Sequence, residues 1–288
     1  MRRARGIAFM CAAALAFTIV DALVKWLSPR YPTAELVFFR GLFAFIPVLI
    51  LVARSGGVAA IRTHRPAAHV LRSTFALTAM IASFFAFARM PLADVIAISF
   101  SAPLFVTGLS VLLLGETVGI RRWSAVLVGF AGVLIMVRPG GAIEWAAWAA
   151  LLAALCMAGS AIVIRTMSDT ERSVTIVFYN TLTIMSAGAL TLPFAWVTPA
   201  VVDWPALLAL GVCGGIGQLC LTESYRSAPV SVVVPFNYSA ILWATLFGFA
   251  IWGDIPDIPL IAGAVLVIGS VLYLLHRESV VKQKLRPS

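Results

Sequence analysis

Two stretches of the chain echo each other. DALVKWLSPRYPTAELVFFR at 21–40 aligns without a gap on AIVIRTMSDTERSVTIVFYN at 161–180, an offset of 140 residues. Lys25 falls on Arg165, and Val37-Phe38-Phe39-Arg40 falls on Val177-Phe178-Tyr179-Asn180. Farther on, Gly115 lies 24 positions after Pro91 and Gly253 lies 24 positions after Pro229, and each glycine is followed by an acid, Glu116 or Asp254. Such internal self-similarity means one structural unit used twice. The residues are 61% hydrophobic and only 11% charged, against roughly 25% charged in soluble domains, so the duplicated unit needs the bilayer as its solvent. A duplicated membrane unit is the build of secondary transporters.

About 20 apolar residues in a helix cross the ~30 Å hydrocarbon layer. Ten segments qualify, at about 6–27, 33–53, 67–88, 92–114, 122–138, 144–166, 173–196, 205–225, 229–252 and 257–276. They lack the alternation of an outer-membrane barrel strand. The first run follows Met1-Arg2-Arg3-Ala4-Arg5 and is too long for a signal-peptide core, so it reads as the first membrane helix. Short connectors rich in Pro, Gly and charge separate the segments. With the N-terminus inside, fifteen basic residues fall on the inner side and four (Lys25, Arg30, Arg89, Arg138) on the outer. That asymmetry places both termini in the cytoplasm and accounts for the net charge of +9 without nucleic acid. Five helices per half invert the second half relative to the first. The expected fold is therefore an all-α integral membrane protein of ten transmembrane helices as two inverted five-helix repeats. The repeats are 1–141 and 142–288, the second with a short basic cytoplasmic tail, and a site is expected near the midplane between them.

Ionisable groups inside a membrane are costly and mark paired or functional positions. Arg40 lies about eight residues into helix 2, roughly 12 Å deep at ~1.5 Å per residue. Its guanidinium fork suits a carboxylate or phosphate, and the alternative is a structural ion pair between helices 1 and 2. The repeat places Asn180 at the equivalent point, with Tyr179 beside it. Asp21 reads as a proton carrier, or as a carboxylate held ionised by Arg40 or by Lys25 one turn on. Glu223, three residues before Arg226, reads as an interfacial ion pair or as a gating or proton-carrying acid. Gln218, Asn237 and Tyr238 are candidate cavity-lining polar groups, the last two following Pro235. Glu35 and His69 read as interfacial, and Arg72 as snorkelling to headgroups. Gly129, Gly132, Gly211, Gly214, Gly215, Gly263 and Gly269 allow close helix approach, and Pro103, Pro193 and Pro235 mark kinks. Cys11, Cys156, Cys213 and Cys220 have no CxxC spacing and read as small core residues.

Met90-Pro91-Leu92-Ala93, Ala102-Pro103-Leu104-Phe105, Leu114-Gly115-Glu116 and Gly129 to Gly132 resemble the signature of the drug/metabolite transporter superfamily, EamA family. The second half repeats it less cleanly in Ala228-Pro229, Pro235, Gly253-Asp254 and Gly263 to Gly269, with Ile241 where Pro103 would recur. The resemblance implies two inverted repeats around a central cavity and transport of small metabolites, most often outward across a bacterial inner membrane. Phe38-Phe39-Arg40-Gly41 with His69-Val70-Leu71-Arg72 resembles a subgroup that includes riboflavin and S-adenosylmethionine importers and exporters of amino-acid-derived metallophores.

No GxxxxGK[ST] run is present, so an ion gradient or exchange supplies the energy, with protons as the default. No HExxH or paired intramembrane aspartate supports an enzyme, and neither cofactor nor metal is expected. The function expected is proton-coupled export, by alternating access, of a small polar or zwitterionic metabolite such as an amino-acid derivative. The alternatives are import of a vitamin- or nucleoside-type metabolite and a non-transporting membrane scaffold. The partners are a small-molecule solute and the lipid bilayer, not nucleic acid, with homodimerisation left open.

Overall fold

The computed structural model describes residues 2–114, 120–137, 144–167, 170–194, 196–227 and 236–284. Glu116, Arg138 to Gly141, Pro229 and Pro235 lie outside the described residues. Helices α1 (Arg2–Leu27), α2 (Thr33–Arg54), α3 (Pro66–Phe87), α4 (Leu92–Ser99), α5 (Ala102–Leu114), α6 (Ile120–Val137), α7 (Glu144–Met167), α8 (Ser173–Thr191), α9 (Trp204–Ser227), α10 (Ser239–Phe247) and α11 (Ile258–Lys284) make up the fold, with no strand among the described residues. Among the described residues, seven apolar spans are long enough to cross a membrane, and three shorter ones lie at Ser124–Met136, Ser239–Trp252 and Ile258–Ser270. Their outer surfaces carry Leu112, Leu190, Leu242 and Val265, each more than half exposed, as a lipid-facing surface requires.

Most expected boundaries fall within a few residues of the observed ones. The fourth segment differs. It is broken at Phe100–Ser101 into α4 and α5, with Pro103 in the first turn of α5. Proline is tolerated in a first turn but not in a helix interior, so Pro103 begins a helix instead of kinking one. The α10 span changes to a π-helical turn at Gly248–Trp252 and ends at Gly253, whose φ of 72° only glycine adopts without strain.

The helices pack as a few intimate pairs: α1 on α9, α3 on α7, α2 on both α8 and α9, and α6 on α11. Glycines set the closest approaches. A Cβ on Gly41 would stand 2.7 Å from the Met185 nitrogen, and one on Gly188 would stand 2.6 Å from the Phe38 Cα, so the α2–α8 contact is backbone on backbone. Gly132 and Gly263 do the same between α6 and α11, each facing the other's carbonyl oxygen. Gly269, expected to serve likewise, meets nothing within 4 Å.

Two buried carboxylates tie loops together at opposite ends of α2. Beside the α1–α2 turn, Asp203 accepts hydrogen bonds from Arg30 (2.7 and 2.9 Å) and from the Tyr31 hydroxyl (2.7 Å), while the Ala200 N–H donates to that hydroxyl at 3.0 Å. Burial first, and then the adjoining Asp203 carboxylate, push the Tyr31 hydroxyl above its ordinary range, against the Ala200 hydrogen bond. Glu35 is fully buried and accepts the Val197 N–H at 3.0 Å, so it is not an interfacial residue facing lipid. At the α2–α3 connection, Glu171 accepts from the Thr63 hydroxyl (2.7 Å) and the His64 N–H (3.0 Å), and its other oxygen stands 3.6 Å from His69 Nε2. The Thr175 hydroxyl donates to the Ala60 carbonyl at 2.8 Å alongside. The 140-residue offset carries Tyr31 onto Glu171 and Thr63 onto Asp203. The same two positions are therefore hydrogen-bonded at both ends, with donor and acceptor exchanged.

Burial alone would push the Glu171 carboxyl up, but the hydrogen bonds from Thr63 and His64 and the contact with His69 outweigh it and hold it below the ordinary glutamate range. Its stabilising contribution is thus complete above that range and is lost as pH falls through the lowered folded value. Glu171→Gln is expected to flatten the acid side of a Tm-against-pH curve, the two proteins converging at the lowest pH. Gly41→Ala is expected to cost roughly 1–3 kcal/mol by overpacking, seen as a lower Tm in detergent, while Gly269→Ala leaves Tm unchanged or slightly raised.

Candidate functional site

A polar cavity lies where α2 meets α8 and α9. Arg40, Gly41, Ala44 and Val48 line it from α2; Val177, Asn180, Thr181 and Ile184 from α8; and Gly214, Gly215 and Gln218 from α9. Its volume of ≈ 30 Å³ leaves room for about two water molecules, so this conformation is too tight for a metabolite. Three of the residues singled out from the sequence, Arg40, Asn180 and Gln218, meet here. The first two are related by the repeat, so one cavity receives the equivalent side chain from each half.

The local reasons are visible. A Cβ on Gly211 would lie 2.4 Å from the Phe43 side chain and one on Gly215 would lie 2.1 Å from the Pro47 ring, so glycine lets α9 close on α2. At Gly214 the same atom would stand 3.5 Å from Arg40 Nε, an ordinary contact distance. Gly214 therefore faces the guanidinium without crowding and is not a helix-contact glycine. Pro47 lies inside α2, where it removes a hydrogen bond to the preceding turn. It was missed in the sequence because it sits in an unbroken apolar run. On the α1–α2 side of Arg40, Phe39 packs against Trp196 and Trp204 at centroid distances of 6.1 and 5.7 Å.

Arg40 Nε and Asn180 Oδ1 are both buried and both without a hydrogen-bond partner among the described residues. One is a donor attached to a cation and the other an acceptor. Leaving a buried polar atom unmet costs about 1–3 kcal/mol, more when it is charged. A cavity presenting one of each is chemically matched to a group that accepts at one end and donates at the other. Asp21 on α1 is the acid whose charge bears on Arg40, yet no ion pair joins them among the described residues. The reading of helices 1 and 2 as adjacent partners needs correction: α9 packs on both. Lys25 is not Asp21's partner either. It binds Asp254 at 2.5 Å and lies 4.6 Å from the Trp252 ring centroid, a contact made by the π-helical turn before Gly253.

The other expected site residues lie apart from the cavity. Tyr179 turns to the opposite side of α8, its ring 4.8 Å from the His69 ring. Tyr238 packs edge-on against Phe100 at 4.7 Å, beside the α4–α5 break, and its hydroxyl is buried without a partner. Asn237 is half-buried in the turn before α10. Glu223 stands 4.0 Å from Arg5 at the start of α1, where the Ser224 hydroxyl also donates to the Gly6 carbonyl at 2.8 Å. The reading of Arg72 as a snorkelling side chain is overturned: it is 6% exposed, with Nε and Nη1 unmet. Its position six residues into α3 made it read as interfacial, but α7 and α8 cover that face of α3.

The profile of the EamA-like transporter family matches the chain twice, at residues 4–138 and 144–276. The pseudopaline exporter CntI of Pseudomonas aeruginosa is 31% identical over 275 residues, 93% of this chain and 95% of that protein. A riboflavin transporter of Rhizobium johnstonii is 30% identical over 277 residues, 95% of this chain and 91% of the other. An S-adenosylmethionine uptake transporter of Rickettsia prowazekii is 26% identical over 277 residues, 95% and 93% of the two chains. One crystal structure of a protein 20% identical superposes with a TM-score of 0.66 over 96% of this chain and 99% of its own, a likeness of fold alone. With its apolar spans, its two family matches and relatives that are transporters rather than enzymes, this chain is a multi-pass membrane protein that belongs to the EamA-like transporter family.

Proposed function

We propose that the protein is a secondary transporter that exports a small polar or zwitterionic metabolite, an amino-acid derivative or a metallophore-like compound, across a bacterial inner membrane. The observation that carries this reading is the unmet donor of Arg40 facing the same cavity as the unmet acceptor of Asn180. Arg40 takes the solute's carboxylate, and Asn180 with Gln218 takes its donor group. Asp21, in electrostatic reach of Arg40, is the proton carrier: protonated, it leaves Arg40 free to hold an anion; ionised, it competes for the guanidinium. Export follows the relative named as an exporter. The second reading, import, follows the riboflavin and S-adenosylmethionine relatives.

The two matched stretches lie in inverted repeats, 1–141 and 142–288. Advancing each helix of one half to its counterpart in the other turns the α1–α9 pair into α7–α3, and leaves α2–α8 and α6–α11 paired with themselves. The exchange of Tyr31–Asp203 for Glu171–Thr63 follows the same rule. The basic residues Arg54, Arg62 and Arg65 put the α2–α3 end in the cytoplasm, with both termini. The Asp203 and Glu171 ties are then an outer and an inner gate, opened in turn around a site that stays near the midplane. Tyr179, Asn237 and Tyr238 border the path on either side of the cavity, and Glu223 marks its cytoplasmic rim.

Small-molecule profiling of cytosol and medium tests this, in cells with the gene, without it, and with Arg40→Ala. The expected outcome is a carboxylate-bearing compound that accumulates inside on deletion and falls in the medium. Arg40→Ala should reproduce the deletion with at least a tenfold loss of flux while inserting normally. A compound left unused outside assigns import, and identical profiles under expressing conditions refute transport.

A further inference from the structure

A second cation, Arg72, is buried on α3 and takes no part in the cavity. His69 and Arg72 are three residues apart on α3, hence neighbours on one helix face. His69 is 3% and Arg72 6% exposed. Arg72 sits six residues past Pro66 and Tyr179 six residues past Ser173, so both stand about 9 Å in from the same end of the bundle. The His69 ring packs against Tyr179, and its Nε2 approaches Glu171 no closer than 3.6 Å. Arg72 has no carboxylate within ion-pair distance among the described residues, and Nε and Nη1 lack any acceptor, as do both His69 nitrogens. Glu171 is already held by Thr63 and His64.

A guanidinium buried without a counter-ion is strongly disfavoured, and buried donors of native proteins are satisfied by something. Water can meet the hydrogen bonds, but only an anion also meets the charge. We infer that Arg72, with His69 and Tyr179 around it, is a second anion site between α3 and α8, which takes a carboxylate or phosphate of the solute on the Glu171 side of the Arg40 cavity. Tyr179 and Asn180 are consecutive on α8, so one helix carries a wall residue of each site. This inference rests on the transporter reading for the identity of the anion, but not for its existence.

The test uses the purified full chain in phosphatidylcholine nanodiscs, with glutamate, citrate and inorganic phosphate as probes and the rise in Tm as the readout. At least one probe is expected to raise Tm in a saturable way. Arg72→Gln should weaken that probe by tenfold or more, and Arg72→Lys, which keeps the charge but loses the fork, should weaken it less. Arg40→Ala in the Arg72→Gln background should weaken it further. If Arg72→Gln misfolds, the Arg72→Lys comparison decides alone. An undiminished shift in the Arg72 variants overturns the site, as does the absence of any shift in the wild type. A shift produced only by adding phosphatidylglycerol to the nanodiscs assigns a lipid headgroup and overturns the solute site. Arg72-dependent binding in a protein whose deletion leaves metabolite profiles unchanged keeps the anion site and removes the transporter reading instead.

Discussion

The backbone contact of α2 with its two neighbours is the constraint from which the rest follows. α2 meets α8 at Gly41 and Gly188, and α9 at Gly211 and Gly215. Within a membrane no hydrophobic force draws helices together, so packing area decides which pairs form. These glycines bring α8 and α9 so close to α2 that the Arg40 side chain is left only the small cavity between them. It must fit into the gap at Gly214, facing Asn180. A methyl group on either of the α2–α8 glycines would separate the helices and change the cavity and the fold together.

Most polar groups of the described part of the protein are met within the chain. Hydroxyls along the helices mostly return to the carbonyl one turn back, as Thr18, Ser99, Thr181 and Thr183 do. Loop carboxylates are satisfied by the other half of the chain. Buried atoms of Glu35, Arg40, His69, Arg72, Ser73, Ser101, Asn180, Tyr238 and Trp243 have no hydrogen-bond partner among the described residues. Arg40 and Asn180 are the two of these that line one cavity together.

Much of this was legible in the residues. Apolar length gave the helices, and the repeat singled out Arg40 with Asn180 before any packing was known. What periodicity and depth could not give was which helices touch. Asp21 and Arg40 are at matching depths, but α9 stands against both of their helices, and Lys25 turns to Asp254 across 229 residues of sequence. Arg72 looked superficial because distance from a helix end says nothing about what covers that end. The exchange between Tyr31–Asp203 and Thr63–Glu171 was hidden for a different reason: the residue types differ between halves, and the alignment that sets Tyr31 on Glu171 does not say which residue each one bonds.

Arg40 also places a fixed charge part-way across an insulating layer. If the barrier moves from one side of it to the other, the cation crosses part of the membrane voltage without its Cα moving far. A whole elementary charge crossing 100 mV is worth about 2.3 kcal/mol. Balanced by an ionised Asp21 or by the solute's carboxylate, Arg40 makes that step electrically silent. Left alone, it makes the step depend on voltage. The number of carboxylates seated near one guanidinium would thus decide whether the carrier responds to membrane potential, independently of what it carries.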